Sequence, residues 1–551
     1  MDQMRLLLAL VLSFLVFMGF NLFFGQDAEK KPAPKLAQEP SAAAKPEAAA
    51  TTPSGERKAE PVPAAPAADP GRPARQIRVE TPLYTLGLTE KGAVVNRFTL
   101  KEYRQGPEKG SPPHSILPDD GGLAALATAF TGQSVPGLEQ APFQAAAAGD
   151  VIKISEGAGE VAFSFTAANG IRVDKVYRFA ADSYLMGLDV RVFNGSDRPL
   201  TDSLAVILRK DYSGKRNASV FEGPSALVGN SLETIEIGDI AKNNSLSGQF
   251  KWVALQSRYF MTSVVPEGEE SGALRLEQLP GNVVQARYSG PERAIAAGDS
   301  GEFKFQMFFG PKSTPALEKA GNHLERVVDY GTFDFLAKPC VWLLNFMYGI
   351  IPNYGIAIIV LTIFTKILLW PLGTKSYKSM SQMKKLQPLI QEIREKHKGD
   401  RKKMNEEVMR LHRTYNINPL GGCLPMVLQI PVFFALYRML DQAIELRHAP
   451  FVGWINDLSA PDRLFNFNFA SPFMEPPYGI PVLTLVMGAT MFLQQKMTPP
   501  AGDPTQAKMM MLMPVVFTFI FINFSSGLVL YWLVNNVLSI GQQYYTQKKF
   551  A

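Results

Sequence analysis

The feature that most constrains the fold is an apolar segment at residues 354–372, YGIAIIVLTIFTKILLWPL, which is interrupted by a single lysine. Its length matches the ~20 residues with which an α-helix crosses the hydrocarbon core of a bilayer. Lys366 lies inside the segment, although a lysine near the bilayer centre costs roughly 2.5–3.5 kcal/mol on insertion scales. The segment therefore predicts a membrane-spanning helix in which Lys366 needs a specific environment.

Further apolar segments predict five spans in the C-terminal part of the chain, at residues 350–372, 421–440, 480–497, 509–524 and 527–545. The last two are separated only by SSG and are expected to form a hairpin over 509–545. Residues 6–24 are also apolar, and they are longer than the roughly 7–15-residue core of a cleaved signal peptide. We therefore predict an uncleaved anchor at 1–25 and a polytopic α-helical membrane protein with six transmembrane helices.

Three regions of different composition lie between the anchor and these spans. Residues 26–75 are rich in Ala, Pro, Lys and Glu, which predicts a disordered linker. Residues 76–312 include stretches such as VAFSFTAANGIRVDKVYRF, whose alternation of apolar and polar residues predicts an all-β sandwich or barrel. Residues 313–349 combine large apolar residues with Asp334 and Lys338, which favours an amphipathic helix on the membrane surface.

Basic residues predict the orientation of the spans. The loop at 373–420 carries 12 Lys or Arg against 5 Asp or Glu, whereas the loop at 441–479 carries 2 against 5. Cytoplasmic loops have an excess of Lys and Arg, so the first loop is assigned to the cytoplasm and the second to the outer side. Six spans then place both termini, the loop at 498–508 and the tail at 546–551 in the cytoplasm, and the β domain outside.

The cytoplasmic loop has a helical pattern of its own. Two apolar series flank the break KGD at 398–400, and Asp400 is placed to cap the second helix. We predict a helical hairpin with a narrow apolar seam, which is either a solvated charged surface or a docking arm for ribosome, nascent chain or anionic lipid. The seam residues are Met383, Leu386, Ile390 and Ile393 in the first helix, and Met404, Val408, Leu411 and Tyr415 in the second.

Two explanations of Lys366 differ in where its side chain points. It could extend to the cytoplasmic membrane edge, ~9 Å away for six residues at 1.5 Å per residue. However, helical side chains lean toward the helix N-terminus, which in this span faces away from the cytoplasm. Polar residues within membranes usually face the bundle interior or a wet cavity. Those at similar depth in the predicted spans are Thr362, Thr365, Gln429, Asn535, Asn536 and Ser539.

A counter-ion for Lys366 is missing from the spans, because none of them contains Asp or Glu. A buried lysine without a counter-ion needs water or a ligand of negative character. We therefore predict that Lys366 and the polar residues around it line a hydrated cavity that opens to the cytoplasm.

The motifs of common enzymes are missing from the sequence. It contains no G-x-x-x-x-G-K, G-x-G-x-x-G or H-E-x-x-H motif, and its five histidines are scattered. Residues 381–384 match S-x-x-K by chance, in a charged helical region without the partner motifs. We therefore predict no enzymatic activity, no metal, no cofactor and no direct nucleic-acid recognition. Cys340 and Cys423 fall on opposite predicted membrane faces and are expected to be free.

Four longer motifs resemble a known family. They are GIAIIVLTIFTKILLWPL, NINPLGGCLPMVLQIPVFFALYRML, ELRHAPFVGWINDLSAPD and MPVVFTFIFINFSSGLVLYWLVNNVLSIGQQ, within residues 348–543. They are similar to the YidC/Oxa/Alb family of membrane-protein insertases, and the anchor with its large outer β domain resembles the Gram-negative form. The resemblance implies a protein of the bacterial inner membrane with a periplasmic β-supersandwich. It also implies five core spans around a hydrophilic groove that opens to cytoplasm and lipid.

The same resemblance implies a function, the insertion of nascent membrane proteins, with the Sec translocon, the ribosome and membrane lipids as partners. Lys366 matches a groove arginine of many bacterial relatives, so the charge is retained but a bidentate contact is not. Polar or acidic substrate segments are expected to pause at the groove, while the apolar segment leaves along the third and fifth spans. The residues expected along this apolar route are Met426, Ile430, Phe433, Met510, Met513 and Phe517.

Two other functions fit parts of the sequence. A solute transporter or channel could use Lys366 in its binding site, but it would predict internal repeats and discontinuous helices, and no clear repeat relates the two halves. A carbohydrate-binding domain held by an anchor would leave the polar spans and the basic hairpin unexplained. Insertion and solute-flux assays on the purified protein in liposomes would separate these functions.

Overall fold

A computed structural model describes residues 73–117, 124–214, 220–268, 270–397, 399–415, 424–470, 473–498 and 504–550. The predicted anchor at 1–25 and all but the last three residues of the predicted linker at 26–75 lie outside this part of the chain. The described residues form β-strands up to Pro311 and mainly helices from Thr314 onward. The prediction of an all-β domain at 76–312 is therefore confirmed.

The β domain is built from twenty strands within the described ranges. They are β1 (Gln76–Glu80), β2 (Tyr84–Thr89), β3 (Val94–Arg104), β4 (Pro113–Leu117), β5 (Ala127–Phe130), β6 (Gln144–Ala145), β7 (Val151–Lys153), β8 (Ala158–Thr166), β9 (Ile171–Ala180), β10 (Leu185–Asn194), β11 (Leu200–Asp202), β12 (Leu204–Asp211), β13 (Gly223–Val228), β14 (Ser231–Thr234), β15 (Ser245–Gln256), β16 (Phe260–Pro266), β17 (Ser271–Leu279), β18 (Val283–Ser289), β19 (Arg293–Ile295) and β20 (Ser300–Pro311).

Most of these strands pair into two sheets. The smaller sheet has the order β4-β3-β2-β1-β7, in which β1 and β7 run parallel. The larger, 13-stranded sheet follows the order β5-β12-β18-β17-β15-β16-β20-β10-β9-β8-β6, with β13 and β14 attached beside β15. Strands β11 and β19 form a separate pair.

The core of the β domain follows from the alternation of its strands. In β9 every second side chain, beginning with the first residue, is buried, as expected for a strand with one apolar face. Tyr84, Tyr177 and Trp252 from three different strands belong to one continuous apolar core. Lys175 lies on the same buried face, where its ammonium group donates a hydrogen bond of 2.6 Å to the carbonyl oxygen of Gly92.

The rest of the described chain contains nine α-helices and one short β-hairpin. The helices are α1 (Thr314–Ala320), α2 (Asp334–Ile350), α3 (Tyr354–Leu368), α4 (Trp370–Lys396), α5 (Arg401–Thr414), α6 (Leu424–Gln442), α7 (Val482–Met497), α8 (Pro504–Phe521) and α9 (Ser526–Phe550). The hairpin consists of β21 (Leu464–Phe467) and β22 (Tyr478–Ile480).

The residues of the predicted span at 350–372 do not form a single helix. Helix α3 ends at Leu368, and α4 continues at an angle of 64°. Pro371 lies in the first turn of α4, and proline has no amide hydrogen with which to continue the hydrogen-bond pattern of α3. Helix α4 therefore begins inside the predicted span rather than in the predicted loop at 373–420.

The predicted surface helix at 313–349 is divided into α1 and α2. Between them, Gly321 and Asn322 have positive φ angles of 69° and 54°, which a continuous α-helix does not contain. Helix α2 begins at Asp334, whose carboxylate pairs with Lys338 one turn later at 2.6 Å. The exposed large apolar residues of this region lie on α2, among them Trp342, which is 66% exposed.

Two further boundaries differ from the predicted ones. Helix α8 begins at Pro504, inside the predicted loop at 498–508, and ends before the predicted end of its span. Helix α9 continues to Phe550 through most of the predicted tail at 546–551. Both helices extend into polar sequence, where the apolar pattern used for the prediction gives no signal.

In the described residues, no helix taken singly has both the length and the hydropathy of a membrane span. Helices α3 and α4 meet these criteria only together, across their bend, and Met510–Phe521 forms a shorter apolar helix. The number of membrane crossings stays a prediction.

Helices α4 and α5 form the hairpin that the pattern in 373–420 predicts. The carboxylate of Asp400 accepts hydrogen bonds of 3.1 Å from the amides of Lys402 and Lys403, as predicted for an N-cap. Leu386 is buried, but Tyr415 is 53% exposed, so its assignment to the seam was wrong. Helix α5 ends at Thr414, one residue before the last predicted seam position.

The remaining helices share a second apolar core, to which α3, α6 and α9 contribute Ile358, Leu436 and Val529. Helices α7 and α8 approach each other closely at Gly488, where an added Cβ would lie 2.1 Å from Oγ1 of Thr518. A side chain at residue 488 would therefore force these two helices apart.

The end of α6 contacts the β domain. The Arg258 guanidinium binds the Asp441 carboxylate at 2.7 Å and donates to the Asp441 carbonyl oxygen at 2.9 Å. Nearby, the guanidinium of Arg447 lies 5.3 Å from the ring of Phe260, which also stacks on His114 at 4.2 Å. Burial, reinforced by Arg447, lowers the pKa of His114 to about 3, so this ring is neutral at pH 7.

Candidate functional site

Helix α3 has two distinct faces. One face is buried and includes Ile358, Thr362 and Lys366, of which Lys366 is only 7% exposed. The other face is exposed and includes Phe364 and Leu368, at 54% and 69%. The lysine therefore lies on the inward face of α3, against other helices, and does not extend along the exposed surface.

The side chain of Lys366 is held by α9. Its ammonium group donates a hydrogen bond of 2.6 Å to Oγ of Ser539 and a longer one of 3.5 Å to Oδ1 of Asn535. Ser539 in turn donates to the backbone carbonyl of Asn535 at 2.7 Å, which orients its lone pairs toward the lysine. The three residues form a connected polar cluster between α3 and α9.

The charge of Lys366 has no carboxylate partner among the described residues. Both of its described acceptors are neutral oxygens, although an ammonium group offers three donors. A buried cation with neutral partners retains its attraction for an anion or a polar group that enters the site. The arrangement is suited to binding a carboxylate, a carbonyl or water.

Further polar side chains extend the cluster along α9. Ser539, Gln542 and Thr546 follow Asn535 at spacings of four, seven and eleven residues, so they share one face of the helix. Gln542 donates hydrogen bonds to the carbonyl of Trp370 at 2.9 Å and to Oγ1 of Thr374 at 3.3 Å. Gln542 is not among the predicted site residues, although its spacing from Asn535 on one helix face is a signal for it.

Gln542 reaches the bend between α3 and α4 because Gly373 has no side chain. A Cβ at residue 373 would lie 2.8 Å from Nε2 of Gln542. The amide therefore occupies the space above Gly373 and binds the first carbonyl of α4. This contact fixes the position of the bend relative to α9.

Tyr377 is a second residue of the cluster that the sequence does not predict. Its hydroxyl lies close to Ser539 and to Gln494 of α7, and both side chains interact with it. The apolar periodicity gives no indication of this contact, because Tyr377 lies close to α9 only as a result of the 64° bend between α3 and α4. Tyr377 adds α4 and α7 to the cluster around Lys366.

The other predicted polar residues are placed differently. Thr362 and Thr365 bond to carbonyl oxygens of α3 itself, at 2.6 Å and 3.0 Å. Asn536 points from α9 toward α7, where it donates to Oγ1 of Thr490 at 3.3 Å. Gln429 of α6 is half-buried, and no described hydrogen bond joins it to Lys366.

Some residues of the predicted apolar route meet at Trp532 of α9. The ring of Phe433, on α6, lies 4.7 Å from that of Trp532, and the ring of Phe517, on α8, lies 6.3 Å from it. Ile430 and Met513 are half-buried, and Met510 is 36% exposed. The side chain of Met426 lies outside the described part of the chain.

The contact between Lys366 and Ser539 can be tested by stability. Replacing Ser539 with Ala should lower the free energy of unfolding by about 1–3 kcal/mol, because the buried ammonium group loses its shorter described hydrogen bond. In a Lys366→Met background the same replacement should cost much less. Thermal unfolding of all four proteins in detergent measures this coupling.

Thr484→Val is the matched control, because this hydroxyl is buried and has no described hydrogen-bond partner. Its effect should be the same in both backgrounds. Purely additive effects of Ser539→Ala and Lys366→Met would contradict the contact.

Comparison with known proteins identifies relatives of both parts of the chain. A family model described as YidC periplasmic domain matches residues 76–343, and one described as 60Kd inner membrane protein matches residues 346–551. A solved structure of an active YidC insertase with its first transmembrane domain resolved is 17% identical. It covers 86% of this chain and 93% of its own, with a TM-score of 0.36.

The sequence relatives extend over the full length. The membrane protein insertase YidC of Syntrophus aciditrophicus is 40% identical over 563 residues, which is 100% of both chains. That of Syntrophobacter fumaroxidans is 41% identical over 557 residues, covering 99% of this chain and 100% of the relative. On this identity over the whole length, the chain belongs to the YidC membrane protein insertase family.

Proposed function

We propose that this protein inserts nascent membrane proteins into the bacterial inner membrane through a hydrophilic groove centred on Lys366. The observation that carries the proposal is a buried lysine whose described acceptors, Ser539 and Asn535, are both neutral. The chain belongs to a family of insertases. In an insertase, the charge of Lys366 would attract the polar segment that a substrate must bring into the membrane. The mechanism that we propose uses no cofactor, metal or nucleotide.

The proposed topology follows the charges of the loops. Helices α4 and α5 and both termini are cytoplasmic, the β domain and residues 441–479 are periplasmic, and α2 lies on the periplasmic membrane surface. In this orientation Ser539, Gln542 and Thr546 lead from Lys366 toward the cytoplasmic end of α9. We place the opening of the groove at that end, from which polar substrate residues reach the lysine.

The mechanism shortens the dehydrated path of the translocating segment. A polar or acidic segment enters from the cytoplasm and binds Lys366, which stabilises it partway across the hydrocarbon layer. The apolar segment that follows lies against α6 and α8, near Phe433 and Phe517, and partitions into lipid. Hydrophobic partitioning of a whole span supplies the driving force.

Partners are proposed from exposed surfaces. The hairpin of α4 and α5 presents a basic exterior, which suits contact with the ribosome, with a nascent chain or with anionic lipid. Cooperation with the Sec translocon is proposed on family membership. The alternative function, a solute channel or transporter, would need a path through the bundle that also opens to the periplasm.

Charge at residue 366 should matter more than side-chain shape. Lys366→Arg should retain insertion, whereas Lys366→Ala and Lys366→Glu should impair it for substrates with acidic translocated segments, because the attraction is lost or reversed. Insertion into proteoliposomes, read by protease protection, measures the effect. A substrate without acidic residues in that segment is the control, and equal insertion of the acidic substrate by Lys366→Glu and the parent would rule out the role of the lysine.

The groove should be wet and open on one side. In a background lacking Cys340 and Cys423, cysteines at Gln429 and Asn535 should react with a membrane-impermeant thiol reagent from the cytoplasmic side only. Ile358, which is fully buried, is the matched control and should not react. Labelling of both positions from the periplasmic side would indicate a channel, and no labelling from either side would indicate a dry, packed core.

The cytoplasmic hairpin should be needed for activity without being needed for the bundle. Replacing residues 382–413 with a short Gly/Ser bridge retains Ser376, Tyr377 and Ser381, the part of α4 nearest the cluster. We expect the thermal unfolding of the rest to be largely preserved and most of the insertion activity to be lost. Full complementation of growth by the deletion would mean that the hairpin is only a solvated surface.

A further inference from the structure

A group of exposed phenylalanine side chains lies at the proposed periplasmic end of the helices. Residues 464–474, LFNFNFASPFM, contain four phenylalanines and no charged residue. Phe465, Phe469 and Phe473 are 69%, 66% and 65% exposed. We call these three side chains, carried by the β21–β22 hairpin and its connecting segment, the aromatic patch.

The base of this hairpin is fixed to the bundle. Arg463 donates hydrogen bonds of 2.8 Å to the carbonyl oxygens of Pro477 and Ile522, which joins both sides of the hairpin to the end of α8. Asn523 accepts from the amide of Glu475 at 2.9 Å and donates to the carbonyl of Phe473 at 3.2 Å. The aromatic patch is therefore presented from a fixed base.

The backbone directs Phe465 outward. Pairing of β21 with β22 shifts register between Leu464 and Asn466, and Phe465 between them has a φ angle of 56°. A bulge re-aims the side chain of its extra residue, and a positive φ is unusual for a bulky aromatic residue. A strained backbone conformation that exposes a phenylalanine indicates that another molecule covers this surface when the protein is active.

The aromatic patch is continuous with the exposed apolar face of α8. The ring of Phe473 lies 5.9 Å from that of Phe519, which is itself 53% exposed. Leu512 and Val515 extend this face along α8, at 57% and 45% exposure. In the proposed topology this face of α8 contacts lipid, so the patch begins where the lipid-facing surface ends.

We propose that the aromatic patch inserts into the outer leaflet of the bilayer and anchors the periplasmic end of α8 there. Phenylalanine side chains on a neutral segment favour this layer, because they bury apolar area without bringing a charge into it. Glu475 and Arg463 stay at the base of the hairpin, toward the aqueous side. The inference rests on the membrane orientation given under the proposed function and adds a lipid contact to it.

Site-directed spin labelling of the full chain in phosphatidylethanolamine–phosphatidylglycerol nanodiscs tests this placement. Single cysteines replace Phe465 and Phe469 in the Cys340→Ser, Cys423→Ser background, and power saturation compares accessibility to oxygen and to a water-soluble nickel chelate. The matched control is Phe193→Cys, since this phenylalanine is 42% exposed on the β domain. Val515→Cys reports the lipid-facing surface of α8.

Labels at 465 and 469 should show a ratio of oxygen to nickel accessibility that is several-fold higher than at 193 and close to that at 515. A ratio at 465 and 469 equal to that at 193 would overturn the inference. If the label at 515 shows a lipid-like ratio in the same experiment, the proposed function stays intact. A water-like ratio at 515 would instead contradict the proposed orientation itself. Low accessibility to both reagents with dipolar coupling between labels would identify a second copy of the chain as the occupant and also overturn the inference.

Discussion

The hydrogen bond from Lys366 to Ser539 is the interaction on which the helical region depends. It places a cation inside a helix bundle and attaches it to neutral acceptors on α9. An isolated charge in a low-dielectric interior costs several kcal/mol unless polar groups surround it. Tyr377 and Asn535 belong to that surrounding shell, and a purely apolar bundle could not contain the same lysine.

The bend after α3 makes this shell possible. A straight helix through residues 354–396 would carry Tyr377 away from Ser539, whereas the 64° change of direction returns it to α9. The bend itself is held by Gln542, whose amide binds the carbonyl of Trp370 above Gly373. Pro371, which breaks the pattern of the apolar segment, is therefore a requirement of the polar cluster.

The sequence predicted the parts of this arrangement that depend on composition and periodicity. The all-β domain and the Asp400 cap follow from patterns within one element. Asn535 and Ser539 were selected as neighbours of Lys366 only for their polarity at similar predicted depth. The bend, Tyr377 and the aromatic patch could not be predicted, because each depends on where one element lies relative to another. Thr362 was assigned to the cavity for its polarity, but its hydroxyl is satisfied by its own helix, as helical threonines often are.

Polar and apolar surfaces meet within one turn of α9. Asn535 contacts Lys366, and Trp532, three residues earlier and ~4.5 Å along the axis, contacts Phe433 and Phe517. A membrane protein in the course of insertion has the same pattern, since a polar segment adjoins an apolar span. In the proposed mechanism, the two parts of such a substrate bind at adjacent sites on one helix. The apolar part can then move into lipid while the polar part stays bound to Lys366. Neither the binding of the polar part nor the partitioning of the apolar part then exposes an unpartnered charge to hydrocarbon.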